Sequence, residues 1–254
     1  MGTRAAGAAL VAAAAIWPWL ADAARAANNA YAVDAADIAE AGSCKIESWM
    51  SSATNTDFTA VANPSCVVDP FRLKPVELGL PTNRARSDGE WGTSIGAKAK
   101  MNLVPTGVGK LGFAFYAAGA FDVATGENQT VAAVVPVTWR LSETMRINLN
   151  GGWLWDRASD RHFALYGIGF DWKFTDTLQW TIEAFGQAGS AEAPSTIRPR
   201  LQTGLRYRPN EIFSVDLILG HNITGEGANW ITLGTTIRFP VEGGKPARER
   251  SGHL

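Results

Sequence analysis

A period of two is the feature that most constrains this chain. Over 177–188, Leu178, Trp180, Ile182, Ala184, Gly186 and Ala188 alternate with Gln179, Thr181, Glu183, Phe185 and Gln187. Over 196–208, Ile197, Pro199, Leu201, Thr203, Leu205 and Tyr207 alternate with Arg198, Arg200, Gln202, Gly204, Arg206 and Arg208. That spacing places the two sets on opposite faces of a strand. A soluble sheet would turn its apolar face into a core. Here the polar face holds so many charges that it reads as the lining of a wet interior, with the apolar face turned to lipid.

The same pattern predicts twelve strands: 43–49, 57–67, 71–82, 89–103, 110–122, 130–140, 145–156, 161–174, 177–188, 196–208, 212–222 and 229–239. The stretch 161–174 is the least regular, because Phe163 and Leu165 fall on the inward side. Pro70, Pro75 and Pro81 weaken the third strand, since proline cannot donate to a ladder. In the second half the connections alternate in size. Those at 141–144, 174–177 and 208–211 are tight, and those at 123–128, 157–160, 188–195 and 223–228 are wider and rich in Gly, Ser and acids. Short turns at one end, longer loops at the other and an even strand number are the marks of a transmembrane barrel. The expected fold class is therefore all-β, a closed antiparallel transmembrane β-barrel over 42–240. Trp91, Trp139, Trp153, Trp155, Trp172 and Trp230 fall near strand ends, where indole rings suit the membrane–water interfaces.

Beyond the first two dozen residues, no apolar run reaches the roughly 18–20 residues of a transmembrane helix. Residues 1–26 read as a signal peptide, with Arg4 ahead of an apolar core and small-x-small cleavage sites at 21–23 and 24–26. Residues 27–41 are Ala- and Asp-rich and are expected to form a periplasmic lead-in. Residues 241–254 form a polar C-terminal tail. The two cysteines, Cys44 and Cys66, suit an oxidising compartment. Reflection of the first hairpin about Asn55 puts them opposite each other, so a cross-strand disulfide is expected.

The final hairpin carries Val215-Asp216-Leu217 and Gly220-His221-Asn222-Ile223-Thr224-Gly225. It then runs through Trp230-Ile231-Thr232-Leu233-Gly234 to Ile237-Arg238-Phe239. This strand-and-turn grammar resembles Gram-negative outer-membrane β-barrels of the porin-like kind. The last hairpin is similar to transporter barrels linked to aromatic-compound breakdown. The resemblance implies an outer-membrane location, outer-membrane lipid as surroundings, and barrel-assembly machinery as a partner that reads a final-strand aromatic. Phe239 stands in that position, although residues 240–254 follow it.

Alternation points Lys98, Lys100, Lys110, Arg140, Arg146, Asp156, Glu183, Arg198, Arg200, Arg206, Asp216 and Arg238 inward as pore-lining residues. With Lys173, Arg208, Glu90, Asp122 and Asp171 added, the inner face keeps a basic excess. A water-filled lumen of that sign favours anionic or amphiphilic small solutes. The alternative is bracing, with Glu183 facing Arg200 or Gln202 and Asp216 diagonal to Arg206 across a narrow barrel. The near-neutral net charge of −1 gives no support to nucleic-acid binding. No cofactor is expected. The three histidines lack the paired spacing of a metal site.

A hydrolase is the competing class. A known outer-membrane phospholipase presents Ser, His and Asn on its lipid-facing wall, and His162 and His221 fall on that side here. No Ser stands two residues from either, so the nucleophile is missing. The expected function is passive passage of small solutes, ahead of a closed structural or partner-binding barrel.

Overall fold

The computed structural model describes residues 30–70, 74–157, 160–189, 199–223 and 227–240. The expected signal peptide, the C-terminal tail and Arg198 lie outside the described residues. Among the described residues thirteen strand segments follow one another: β1 Ser43–Ala53, β2 Phe58–Val68, β3 Val76–Gly79, β4 Thr82–Ser87, β5 Glu90–Val104, β6 Leu111–Asp122, β7 Asn128–Arg140, β8 Met145–Asp156, β9 Arg161–Lys173, β10 Leu178–Gly189, β11 Arg200–Tyr207, β12 Phe213–Asn222 and β13 Asn229–Pro240. Both β3 and β4 pair with β2 on one side and β5 on the other. They are two halves of one stave, so the barrel has twelve staves. It closes where β1 pairs antiparallel with β13, from Ser43 opposite Pro240 to Ala53 opposite Trp230. Closure leaves no edge strand, which a sheet in lipid requires.

The third stave is displaced from its expected position. The sequence pattern put it at 71–82 with the next strand starting at Gly89. The stave instead spans β3 and β4 and is broken at Leu80-Pro81. The proline has no N–H for the ladder, and its carbonyl accepts from Gly96 N at 2.6 Å. The reversal is Asp88-Gly89, with φ of 50° and 84°. Two positive φ values are what a two-residue hairpin needs, and Asp-Gly supplies them.

The outer wall is apolar. Ile46, Leu149, Ile168, Leu217, Leu233 and Ile237 are all exposed. A continuous exposed band of this kind on an antiparallel barrel faces hydrocarbon. Trp91 and Trp153 lie towards one end of the band. Trp139 and Trp172 lie towards the other, and all four are exposed. Trp230 departs from that expectation. It is an inward position of β13, opposite Gly220, where a Cβ would lie 2.0 Å from its indole ring. The missing side chain on Gly220 gives the ring its space.

Candidate functional site

Alternation brings the charges inside. Lys98, Lys100, Glu183 and Asp216 are all buried, in the lumen rather than in a protein core. The wall is then crossed by ion pairs. Arg206 faces Asp216 in register and donates Nε at 2.7 Å and Nη2 at 3.2 Å to its two carboxylate oxygens. Arg146 Nε lies 2.6 Å from Asp171 Oδ2. Lys45 Nζ stands 3.2 Å from both Glu47 and Glu77. Glu183 accepts from Gln202 at 2.6 Å, one of its two expected partners.

The segment ahead of β1 lies among these residues. Residues 27–41 were expected outside the barrel, but the described part, from Ala30, enters the lumen. Tyr31, Val33, Asp34 and Ala36 are buried there. Glu183 accepts the backbone N–H groups of Ala32 and Val33 at 2.9 and 3.2 Å. Asp34 pairs with Lys98 at 2.7 Å. Lys100 donates to Ala35 O at 2.6 Å and Asn102 to Ala36 O at 2.8 Å. Ala36 N donates to Thr138 Oγ1 at 2.8 Å. Asp37 lies between Arg140 and Arg146, at 3.5 and 3.4 Å, and accepts from Thr106. The Arg206 guanidinium lies 5.1 Å from the Tyr31 ring centroid. A segment outside helix and sheet has unpaired N–H and C=O groups, and here wall side chains satisfy several of them in order along the chain.

The wall is also shaped for this segment. A Cβ on Gly204 would meet Tyr31 Oη at 2.8 Å. One on Gly167 would meet Val33 Cγ2 at 2.9 Å, and one on Gly234 would meet Ala30 Cβ at 3.3 Å. All three glycines belong to strands on the far side of the barrel from Lys98 and Lys100. Charged and polar side chains grip the segment from both sides, and on the side of β9 to β13 the glycines let it lie close.

Among the described residues, cavities of about 200, 340 and 90 Å³ lie in the lumen, and the segment forms part of the wall of each. The cavity of about 340 Å³ lies towards the end where β1 begins and β13 ends. It is lined by Lys45, Lys98, Lys100, Arg146, Arg206 and Arg238 together with Glu47, Glu77 and Glu183. The second, towards the opposite end, is lined by Trp49, Tyr116, Leu154, Leu165 and Phe185, with Asn150 and Arg200 among its polar groups.

Of the inward-pointing residues expected from sequence, Lys98, Lys100, Arg146, Glu183, Arg206 and Arg238 meet around one cavity. Arg200 lines another. Arg140 touches the segment through Asp37, and Asp216 lies behind Arg206. Lys110 is exposed in the turn before β6, and Asp156 is half-buried at the end of β8. Neither borders these cavities. Sequence reasoning passed over Tyr31, Asp34 and Asp37. Their signal was the Asp-x-x-Asp spacing just ahead of a barrel whose inner face is short of acids. Cys44 and Cys66 face each other in register and form a disulfide, as expected. His162 stacks on Trp153 at 5.5 Å, and His221 Nδ1 bonds Asn229 Oδ1 at 2.8 Å. Among the described residues, no serine bonds either ring.

The profile of a family described as uncharacterised conserved protein UCP029691 matches residues 12–239. The chain belongs to this family. No curated protein matches the sequence. Among solved structures, the chain is similar to the COG4313 outer membrane channel from Pseudomonas putida F1, with 13% identity and a TM-score of 0.61, over 80% of this chain and 97% of that one. It is similar to the NanC porin, with 5% identity and a TM-score of 0.61, over 76% and 98% of the two chains. It is also similar to the transport unit of the autotransporter AIDA-I from Escherichia coli, with 13% identity and a TM-score of 0.53, over 84% and 94%. The shared feature is the fold, that of Gram-negative outer-membrane barrels.

Proposed function

We propose that this family member is an outer-membrane channel for passive diffusion of small solutes, and that residues 30–37 hold its lumen closed at rest. One observation carries the reading: the described segment is bound inside a polar lumen by side chains from opposite walls. A structural barrel has no need of a lumen built around a removable strand of chain. Removal of the proposed 1–26 leader leaves the segment tethered to the barrel only through β1, so it can withdraw without breaking the wall.

The charge balance supports a solute class. Withdrawal takes Asp34 and Asp37 out of the lumen and leaves Lys98, Lys100, Arg140 and Arg146 facing water. The open path is therefore more basic than the closed one, which favours anionic or amphiphilic solutes. The link to aromatic compounds rests only on the resemblance of the last hairpin. Planar-bilayer recording under a salt gradient tests the proposal. Discrete openings with an anion-preferring reversal potential are expected. Cation preference would sink the solute class. Silence from folded, inserted protein lacking residues 27–37 would sink the channel and favour a braced structural barrel.

A further inference from the structure

Two arginines stand on the outer wall, where the surrounding positions are apolar or small. Pro81 and Asn83 border a lumen cavity, so the alternate positions Arg84 and Arg86 of β4 face outward. In register, Arg86 lies opposite Trp91 and Arg84 opposite Thr93. Both guanidinium groups lie against the Trp91 ring, 5.0 Å from its centroid for Arg84 and 5.7 Å for Arg86. Phe58 meets the same ring edge-on at 5.9 Å. Arg84 Nη1 donates to Thr93 Oγ1 at 2.7 Å, and Arg86 donates Nε and Nη2 to Thr56 O at 3.2 and 2.7 Å.

Among the described residues neither arginine has a carboxylate within ion-pair distance, whereas Arg140, Arg146 and Arg206 in the lumen each face one. The nearby acids are Asp57, held by Asn55 and Ser87, and Asp88 and Glu90 at the hairpin tip. Each guanidinium offers five N–H donors. The contacts above use one on Arg84 and two on Arg86, so both keep donors for a further acceptor.

Position selects that acceptor. Both residues lie within four positions of the Asp88-Gly89 turn, at the end opposite that where β1 begins and β13 ends. In an outer-membrane barrel this is the external side. Long cationic side chains on a lipid-facing wall reach for the headgroup layer. Planar guanidinium forks match phosphate oxygens, and the indole ring holds both forks in place. We infer that Arg84, Arg86 and Trp91 form a binding site for the phosphate of an outer-leaflet glycolipid, lipopolysaccharide. The inference rests on the outer-membrane location and is independent of whether the lumen conducts.

The test uses the full-length folded barrel in detergent, with bisphosphorylated lipid A as the probe and native mass spectrometry as the readout. Fold is checked by the gel shift between boiled and unboiled samples. The double variant Arg84→Gln/Arg86→Gln is expected to bind lipid A at least tenfold more weakly, and Trp91→Leu to weaken it by a smaller factor. Arg157→Gln, which removes a rim arginine paired with Glu127, is expected to leave binding unchanged. Lipid A stripped of phosphate is expected to bind the parent as weakly as it binds the double variant. Equal lipid A binding by parent and folded double variant would overturn the site. Displacement by millimolar inorganic phosphate alone would assign the site to free phosphate and overturn the lipid assignment.

Discussion

Asp34→Ala removes the ion pair with Lys98 at the middle of the luminal segment. Asp34 is 2% exposed and Lys98 is 7% exposed, with 2.7 Å between Oδ2 and Nζ. Breaking a fully buried pair costs about 3–5 kcal/mol when the remaining charge is stranded. Lys98 is not stranded, because its ammonium also sits 4.2 Å from the Tyr116 ring and borders a cavity. A charge-assisted hydrogen bond, at about 1.5–3 kcal/mol, is the better measure. A loss of about 2 kcal/mol lowers the docked-to-withdrawn ratio by roughly 30-fold. The barrel itself should be unaffected, because Asp34 belongs to no strand. Single-channel recording reads the ratio as open probability, which should rise by about that factor wherever the parent is mostly closed. The exchanged pair Asp34→Lys/Lys98→Asp should restore closure. A folded Asp34→Ala barrel with unchanged open probability would refute the reasoning. So would an exchanged pair that opens as often as the single variant.

The wall offers two further tests. Arg206→Met leaves the Asp216 carboxylate, 1% exposed, without its two hydrogen bonds and should cost about 3–5 kcal/mol in urea unfolding from detergent. Arg206→Met/Asp216→Leu should cost clearly less, and equal losses would show that the stranded charge is not the cause. Cys44→Ser/Cys66→Ser opens a link between residues 22 apart and should lower stability by about 3 kcal/mol in the loop-entropy picture. An unchanged unfolding midpoint would show that the closed ladder between β1 and β2 already supplies the constraint.

The wall was legible in the sequence and its contents were not. A period of two is a local signal, and it placed Lys98, Glu183, Arg206 and Asp216 inward because any strand with that pattern must. The cross-strand partner of Cys44 followed from counting residues away from a turn, whereas Asp216, expected diagonal to Arg206, stands directly opposite it. The third stave was misplaced for a local reason. Pro81 interrupts the ladder inside the stave, and the Asp88-Gly89 turn, which fixes its true end, was read as the start of a strand. The segment at 30–37 carries no periodic signal, because its hydrogen bonds go to side chains far away in the sequence. Glu183 lies 150 residues from Val33. What could be read were two halves of one fact: a lumen with too few acids, and Asp34 and Asp37 just ahead of it. The glycines at 167, 204 and 234 were equally silent, since a glycine in a strand does not say what lies against it.

The central claim is that residues 30–37 must leave for solutes to pass, and a reversible tether tests it most directly. A Cβ on Gly167 would lie 3.8 Å from Val33 Cβ, about the mean Cβ separation of a disulfide, roughly 3.8 Å. Val33→Cys/Gly167→Cys should therefore lock the segment in place when oxidised. Conductance is recorded in planar bilayers before and after reductant, with the parent barrel carried through the same treatment. The account predicts no openings in the oxidised variant and openings on reduction, with the parent unchanged. Equal conductance in the oxidised and reduced variant would contradict it.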